Sequence, residues 1–163
     1  MSSQTNTIIY NLDGTFTKIP SDKPFFRKMS NNHREKTICQ LLMRNPHKNI
    51  VKIYEITPSY IDMELLSTDL HGIDTSSVMA DVKTFLQGLG IMYIDWKPDN
   101  IGIDANGTLK LFDFDVSGLI DTVFSVWILE PPKFWLYNKA VDNGCINPVD
   151  IDNYAYAFAL CSV

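Results

Sequence analysis

Gly90-Ile91-Met92-Tyr93-Ile94-Asp95-Trp96-Lys97-Pro98-Asp99-Asn100, followed by Leu111-Phe112-Asp113-Phe114-Asp115, is the part of the chain whose reading decides the fold. Asp95 stands two residues before Lys97 and five before Asn100, and Asp113 comes thirteen residues after Asn100. The intervening residues 101–111 read as strand, Asn-Gly turn, strand, because apolar residues flank a dipeptide that accepts positive φ. A hairpin of this length brings Asp113 back beside Asn100. Two carboxylates, an amide and an ammonium then share one small volume. Such a set suits a metal-bound polyphosphate and a hydroxyl to be phosphorylated.

The bulk properties frame that reading. A chain of 163 residues is one domain by length and long enough for a substantial core. With 45% hydrophobic and 20% charged residues it reads as globular and soluble. A net charge of -5 argues against general nucleic-acid affinity. No apolar run approaches membrane-spanning length, and residues 1–6 do not read as a signal peptide. Cys39, Cys145 and Cys161 are odd in number and widely spaced. They fit neither a zinc site nor a disulfide framework and point to a reducing compartment. No repeat or low-complexity linker is evident.

The two quoted stretches resemble the catalytic core of eukaryotic-type protein kinases. The family's H-R-D-L-K-P-x-N appears here as Tyr93-Ile94-Asp95-Trp96-Lys97-Pro98-Asp99-Asn100, and its D-F-G as Asp113-Phe114-Asp115. The resemblance implies an α+β, two-lobed protein-kinase-like fold in a single domain. A small β-rich N-lobe with one helix would run over about residues 1–64, and a truncated, mainly helical C-lobe over about 65–163. ATP and magnesium would bind between them. Asp95 would take or orient the substrate hydroxyl proton, and Lys97 would neutralise the phosphoryl group in transfer. Asn100 and Asp113 would hold magnesium, while Lys28 and Glu35 would set the nucleotide.

Outward from that core the chain matches in pieces. Residues 7–10 and 15–19 read as strands around Asn11-Leu12-Asp13-Gly14. Gly14-Thr15-Phe16 resembles the middle of the family's phosphate-covering glycine loop, though an ordinary Asp-Gly hairpin reads equally well. Residues 24–29 resemble the third strand, with Lys28 in the phosphate-binding place and Arg27 facing the other side. Phe26 stands where the family prefers a small residue against the adenine. Residues 31–43 read as an amphipathic helix, with Ile38, Leu41 and Leu42 at helical spacing and Glu35 placed to pair Lys28; a solvated surface acid is the plain alternative. His33 and His47 read as surface groups. Residues 59–66 resemble the fifth strand and hinge. Met63 would lie behind the adenine, the Glu64 C=O and Leu66 N–H would read its edge, and Asp69 would bind ribose or merely cap a turn.

Residues 75–87 read as a helix with Val78, Val82, Phe85 and Leu86 on its core face. After Asp115, residues 126–133 lie where the family's A-P-E is expected, with Lys133 replacing the glutamate. Residues 150–160 resemble the opening of the family's central C-lobe helix, in which Asp152 would hold the catalytic-loop backbone. By this resemblance the chain would lack the C-terminal subdomain of a full kinase and would be similar to reduced viral or effector kinases acting in a host cytosol.

These residues imply a serine/threonine protein kinase acting on a protein substrate in the cytoplasm. Two rivals stand beside it: a catalytically dead pseudokinase that serves as a binding module, and a small-molecule phosphotransferase, against which Lys97-Pro98 speaks. Ile94 replaces an arginine that in the family pairs with a phosphate on the activation segment. Activity independent of phosphorylation at Ser117, Thr122 or Ser125 is therefore expected. Tyr154, Tyr156, Phe158 and Leu160 would leave an apolar helix face with little chain to cover it. That face is expected to bind a second copy or a host protein, unless Phe134-Trp135-Leu136-Tyr137 covers it.

Overall fold

The computed structural model describes residues 6–161, so the reading of residues 1–5 and the last two residues lies outside the described residues. The chain forms a mixed α+β structure whose N-terminal part is a five-stranded sheet in the order β2-β1-β3-β5-β4. β1 (Asn6–Tyr10) and β2 (Phe16–Pro20) form an antiparallel hairpin, and β1 runs parallel to β3 (Phe26–Met29). β4 (Ile53–Ile56) and β5 (Tyr60–Met63) close the other side, with β5 antiparallel to β3. In that register Lys28 faces Ile61 and Phe26 faces Met63. Period-two alternation sends Arg27 to the far face. There it forms a two-pronged ion pair with Asp62, at 2.8 and 2.9 Å, and lies over the Tyr60 ring.

Helix α1 (His33–Arg44) packs under this sheet. Asn32 caps it by accepting from the Glu35 N–H, and the cap fixes which turn of the helix carries Glu35. Helix α2 (Ser76–Gly88) follows, burying Met79, Val82 and Leu86. Val82 and Leu86 lie in the core as expected and Val78 and Phe85 pack partly buried against it, and Met79 joins them fully buried. His47 is not a free surface group either, since its ring lies 4.7 Å from that of Phe85.

β6 (Ile91–Met92) leads into the Tyr93-to-Asn100 loop, which closes with a single 3-10 turn at Pro98–Asn100. β7 (Ile101–Ile103) and β8 (Leu109–Leu111) form the expected hairpin. Asp104 accepts from the Asn106 and Thr108 N–H groups, and Gly107 takes φ +81 in the turn.

The region after Asp115 departs from expectation. It forms a second hairpin, β9 (Gly118–Asp121) and β10 (Val126–Leu129), and β9 also pairs with β6. The apolar run Val126-Trp127-Ile128-Leu129 is therefore a strand rather than the A-P-E-like approach. The Trp127 ring and Pro131 lie so close to Gly118 that a Cβ there would meet them at 2.5 and 2.7 Å. Helix α3 (Trp135–Asp142) was not anticipated. Helix α4 (Pro148–Tyr156) starts two residues before Asp150, because Asn147 caps it and Pro148 takes its first turn. A π-helical turn, Ala157–Cys161, continues it. One apolar core runs from α1, β4 and β5 through to α4, with Trp96, Tyr93 and Phe114 its largest fully buried side chains, while β2 lies exposed outside it.

Candidate active site

Lys28 lies on β3, the middle strand of the N-terminal sheet, with its ammonium turned away from solvent. Burial alone would strip its charge. Three carboxylates oppose that: Glu35 at 2.7 Å, Asp113 at 3.1 Å and Asp115 at 3.6 Å. They outweigh burial, so the lysine is held charged well above its usual range. Glu35 is itself buried, which removes the surface-acid alternative; Ser30 Oγ satisfies its second oxygen at 3.2 Å.

Asp113 takes φ +66, a left-handed conformation uncommon outside glycine. The turn points its carboxylate back at Lys28 while Phe114 goes into the core. Burial raises the Asp113 pKa, but Lys28 and the Asp115 N–H more than offset this and hold it low. Asp115 goes the other way: burial and the neighbouring Asp113 charge raise it to about 6.

The loop carrying Asp95 is anchored from below. Asp152, fully buried on α4, accepts from the Ile94 N–H and from Trp96 Nε1, each at 2.8 Å, and from Gln87 Nε2 at 2.9 Å. Ile94 takes φ +64, the turn that lets its N–H and the indole reach one oxygen. Asn100 then ties down Asp95, its amide donating to the Asp95 carbonyl at 3.0 Å and to Oδ2 at 2.9 Å. Burial raises the Asp95 pKa against those bonds and the Lys97 charge. Lys97 is looser, 3.9 Å from Asp95 Oδ1 and half exposed.

Lys28, Glu35, Asn100, Asp113 and Asp115 all line one cavity of about 420 Å³. Tyr10, Phe16, Phe26, Met63 and Phe112 supply its apolar walls. A smaller apolar pocket of about 130 Å³ shares Phe26, Met63, Thr68 and Phe112 and is bounded by Glu64, Leu65 and Leu66. The Glu64 side chain is taken by Lys110 and the Lys52 N–H. Among the described residues its carbonyl and the Leu66 N–H have no hydrogen-bond partner.

Other predicted residues stand apart. Gly14, φ +85, is the corner of a hairpin turn tied by Asn11 and Asp13, and it does not line the cavity. The aromatic pair Tyr10 and Phe16, 5.0 Å apart, lines it instead. Asp69 is an exposed loop residue paired with His71 at 2.8 Å, and Thr68 lines the cavity beside it. Asp95 and Lys97 do not line the cavity; Asp95 adjoins it through its bond to Asn100, and Lys97 lies 3.9 Å from Asp95. Among the described residues, no cluster of three or more His, Cys, Asp or Glu could hold a metal by itself.

No protein-family model matches the chain. Curated relatives do. A putative mitogen-activated protein kinase 14C of Drosophila melanogaster is 28% identical over 138 residues, covering 71% of this chain and 38% of the relative. The mitogen-activated protein kinases sty1 and spk1 of Schizosaccharomyces pombe are 30% and 27% identical, each covering 66% of this chain and 39% of the relative. The chain thus spans under two fifths of the length of these curated relatives. This weak homology to mitogen-activated protein kinases points to a protein-kinase-like superfamily.

Proposed function

We propose that this protein is an ATP-dependent serine/threonine protein kinase with the two-lobed arrangement of that superfamily, the divide falling near Glu64. The observation that carries the reading is Lys28. It is bonded at once to Glu35 on α1 and to Asp113 beyond β8, inside a cavity that Asn100 also lines. A buried ammonium held charged among carboxylates, next to an open cavity, suits polyphosphate.

The donor set fits magnesium as well. Asn100 and Asp113 offer an amide and a carboxylate oxygen, too few for a metal alone but suited to one that arrives with phosphate oxygens. Magnesium held there supplies charge neutralisation on the phosphates. Lys28 binds the non-transferred phosphates. Asp95 orients the attacking hydroxyl and takes its proton as the new O–P bond forms and the bond to the β-phosphate oxygen breaks. Its raised pKa makes it the better acceptor. Lys97, half exposed, neutralises charge on the group in flight. The unpaired Glu64 C=O and Leu66 N–H offer the acceptor and donor that a purine edge needs, with Met63 behind. Gly14 and Asp69 have no part in this geometry.

The second reading is a binding module without catalysis. Phe26 favours it, because that ring narrows the apolar pocket beside residues 64–66 to about 130 Å³. Titration with Mg-ATP and a phosphoryl-transfer assay decide between the two. Wild type is expected to bind and transfer, Lys28→Met to lose binding, and Asp95→Asn to bind but not transfer. A wild type that binds no nucleotide at any magnesium level overturns the kinase reading, and transfer by Asp95→Asn overturns the role of Asp95.

A further inference from the structure

The segment behind Asp113 is held by side chains from the start of α1. Arg34 Nε donates to the Ser117 carbonyl at 2.8 Å, and Arg34 Nη2 donates to the Asp115 carbonyl. Asn32 Nδ2 donates to the same Asp115 carbonyl at 3.1 Å. Asn32 thus uses both ends of its amide, one on the segment and one as the cap of α1. Ser117 is fully buried, and its hydroxyl donates to the Tyr93 carbonyl at 3.2 Å. The start of the helix that carries Glu35 is therefore bonded to the backbone on both sides of Val116, and the Ser117 side chain ties that segment to the loop of Asp95. A guanidinium fork on two carbonyls is a strong, oriented contact. It needs no added phosphate, and Ser117 is out of reach of a modifying enzyme.

We propose that Arg34, with Asn32, is a positioning residue: it clasps residues 115–117 through their carbonyls and so sets Asp113 against Lys28 and Glu35 in the unmodified chain. The significance for catalysis rests on the kinase reading; the clasp itself does not. Hydrogen exchange on the full, unphosphorylated chain tests it. Two variants are needed. Arg34→Met deletes the fork. Asn32→Asp keeps a good helix cap while removing the donor to Asp115. Each is expected to speed exchange at residues 115–118 about tenfold while the amides of α1 hold. Arg34→Lys is expected to recover part of the protection. In the transfer assay both variants lower kcat more than they raise the KM for the acceptor. Fast exchange at residues 115–118 in wild type, or protection unchanged in both variants, overturns the clasp. Equal acceleration throughout α1 also overturns it, because Arg34 then only stabilises its own helix. A wild type with no transfer activity sinks the kinase reading, and the exchange data still decide the clasp.

Discussion

At the scale of single residues, burial and charge pull against each other throughout the cavity. Lys28 stays charged because three carboxylates outweigh its desolvation, and one of them bears the cost. That residue is Asp115, raised to about 6 by burial and by Asp113. A carboxyl whose folded pKa lies above its unfolded value contributes most stability below the unfolded pKa. The contribution is lost as pH rises through the folded value. Asp115 thus weighs on the fold mainly above about pH 6. Asp115→Asn is expected to raise Tm at pH 7.5, with the gain shrinking as pH falls from about 6 toward about 4. Thermal melts across that range measure it; a gain that grows toward acid contradicts the assignment. The resemblance to protein kinases made Glu35 a candidate partner for Lys28. The same motif put the Asp115 charge beside Asp113; that it also reaches Lys28, at 3.6 Å, follows from the fold around the left-handed turn at Asp113.

At the scale of elements, the loop of residues 93–97 has almost no regular hydrogen bonding of its own and depends on α4. Asp152 is its anchor, and the indole of Trp96 completes the contact. Asp152→Ala leaves a buried backbone N–H and a buried indole N–H without acceptors, at about 1–3 kcal/mol each. We expect a loss of about 2–5 kcal/mol in denaturant unfolding. The part of nucleotide binding that depends on Lys28 should survive at temperatures where the variant is folded. A loss below about 1 kcal/mol would show that water replaces the carboxylate and that the loop stands by itself. The pairing of Asp152 with the loop backbone follows from the motif. The Trp96 contact does not, because the position invites only an apolar residue until the indole N–H is seen to reach the same oxygen.

At the scale of the whole molecule, α3 decides how α4 is covered. Leu136, Tyr137 and Ala140 are buried, and Trp135 packs edge-on to Phe158 at 5.9 Å. The Lys139 ammonium lies over the Phe158 ring, 5.1 Å from its centre. The chain's own helix thus lies over part of the apolar face expected to need a second chain, while Tyr156 packs against Trp96 and Phe158 stays exposed. Leu136→Ala is expected to cost about 2–5 kcal/mol. Sedimentation of the variant should show self-association at concentrations where wild type shows none, because the opened face becomes sticky. A variant as stable as wild type would mean that α3 is a loosely attached cover. The exposed apolar tip of the β9–β10 hairpin, with Val123 81% and Phe124 75% exposed, is present in both proteins and cancels in that comparison.

The sequence by itself determined the elements that local rules control. The amphipathic run of α1, the Asn-Gly hairpin and the Asp-x-Lys-Pro-x-Asn block were all legible, because period, turn chemistry and spacing act over a few residues. The hairpin spacing put Asn100 and Asp113 together, and the family resemblance added Lys28 and Glu35 to that set. Only the tertiary structure decided which neighbours that set would have. Gly14 and Asp69 fell outside the cavity while Tyr10, Phe16, Thr68 and Asp115 entered it, because hairpin twist and loop path are set by packing far along the chain. The β9–β10 hairpin and α3 were invisible for the same reason. Their apolar residues carry no period that separates strand from helix over four to eight positions, and only Gly118 against Trp127, or Trp135 against Phe158, settles which forms.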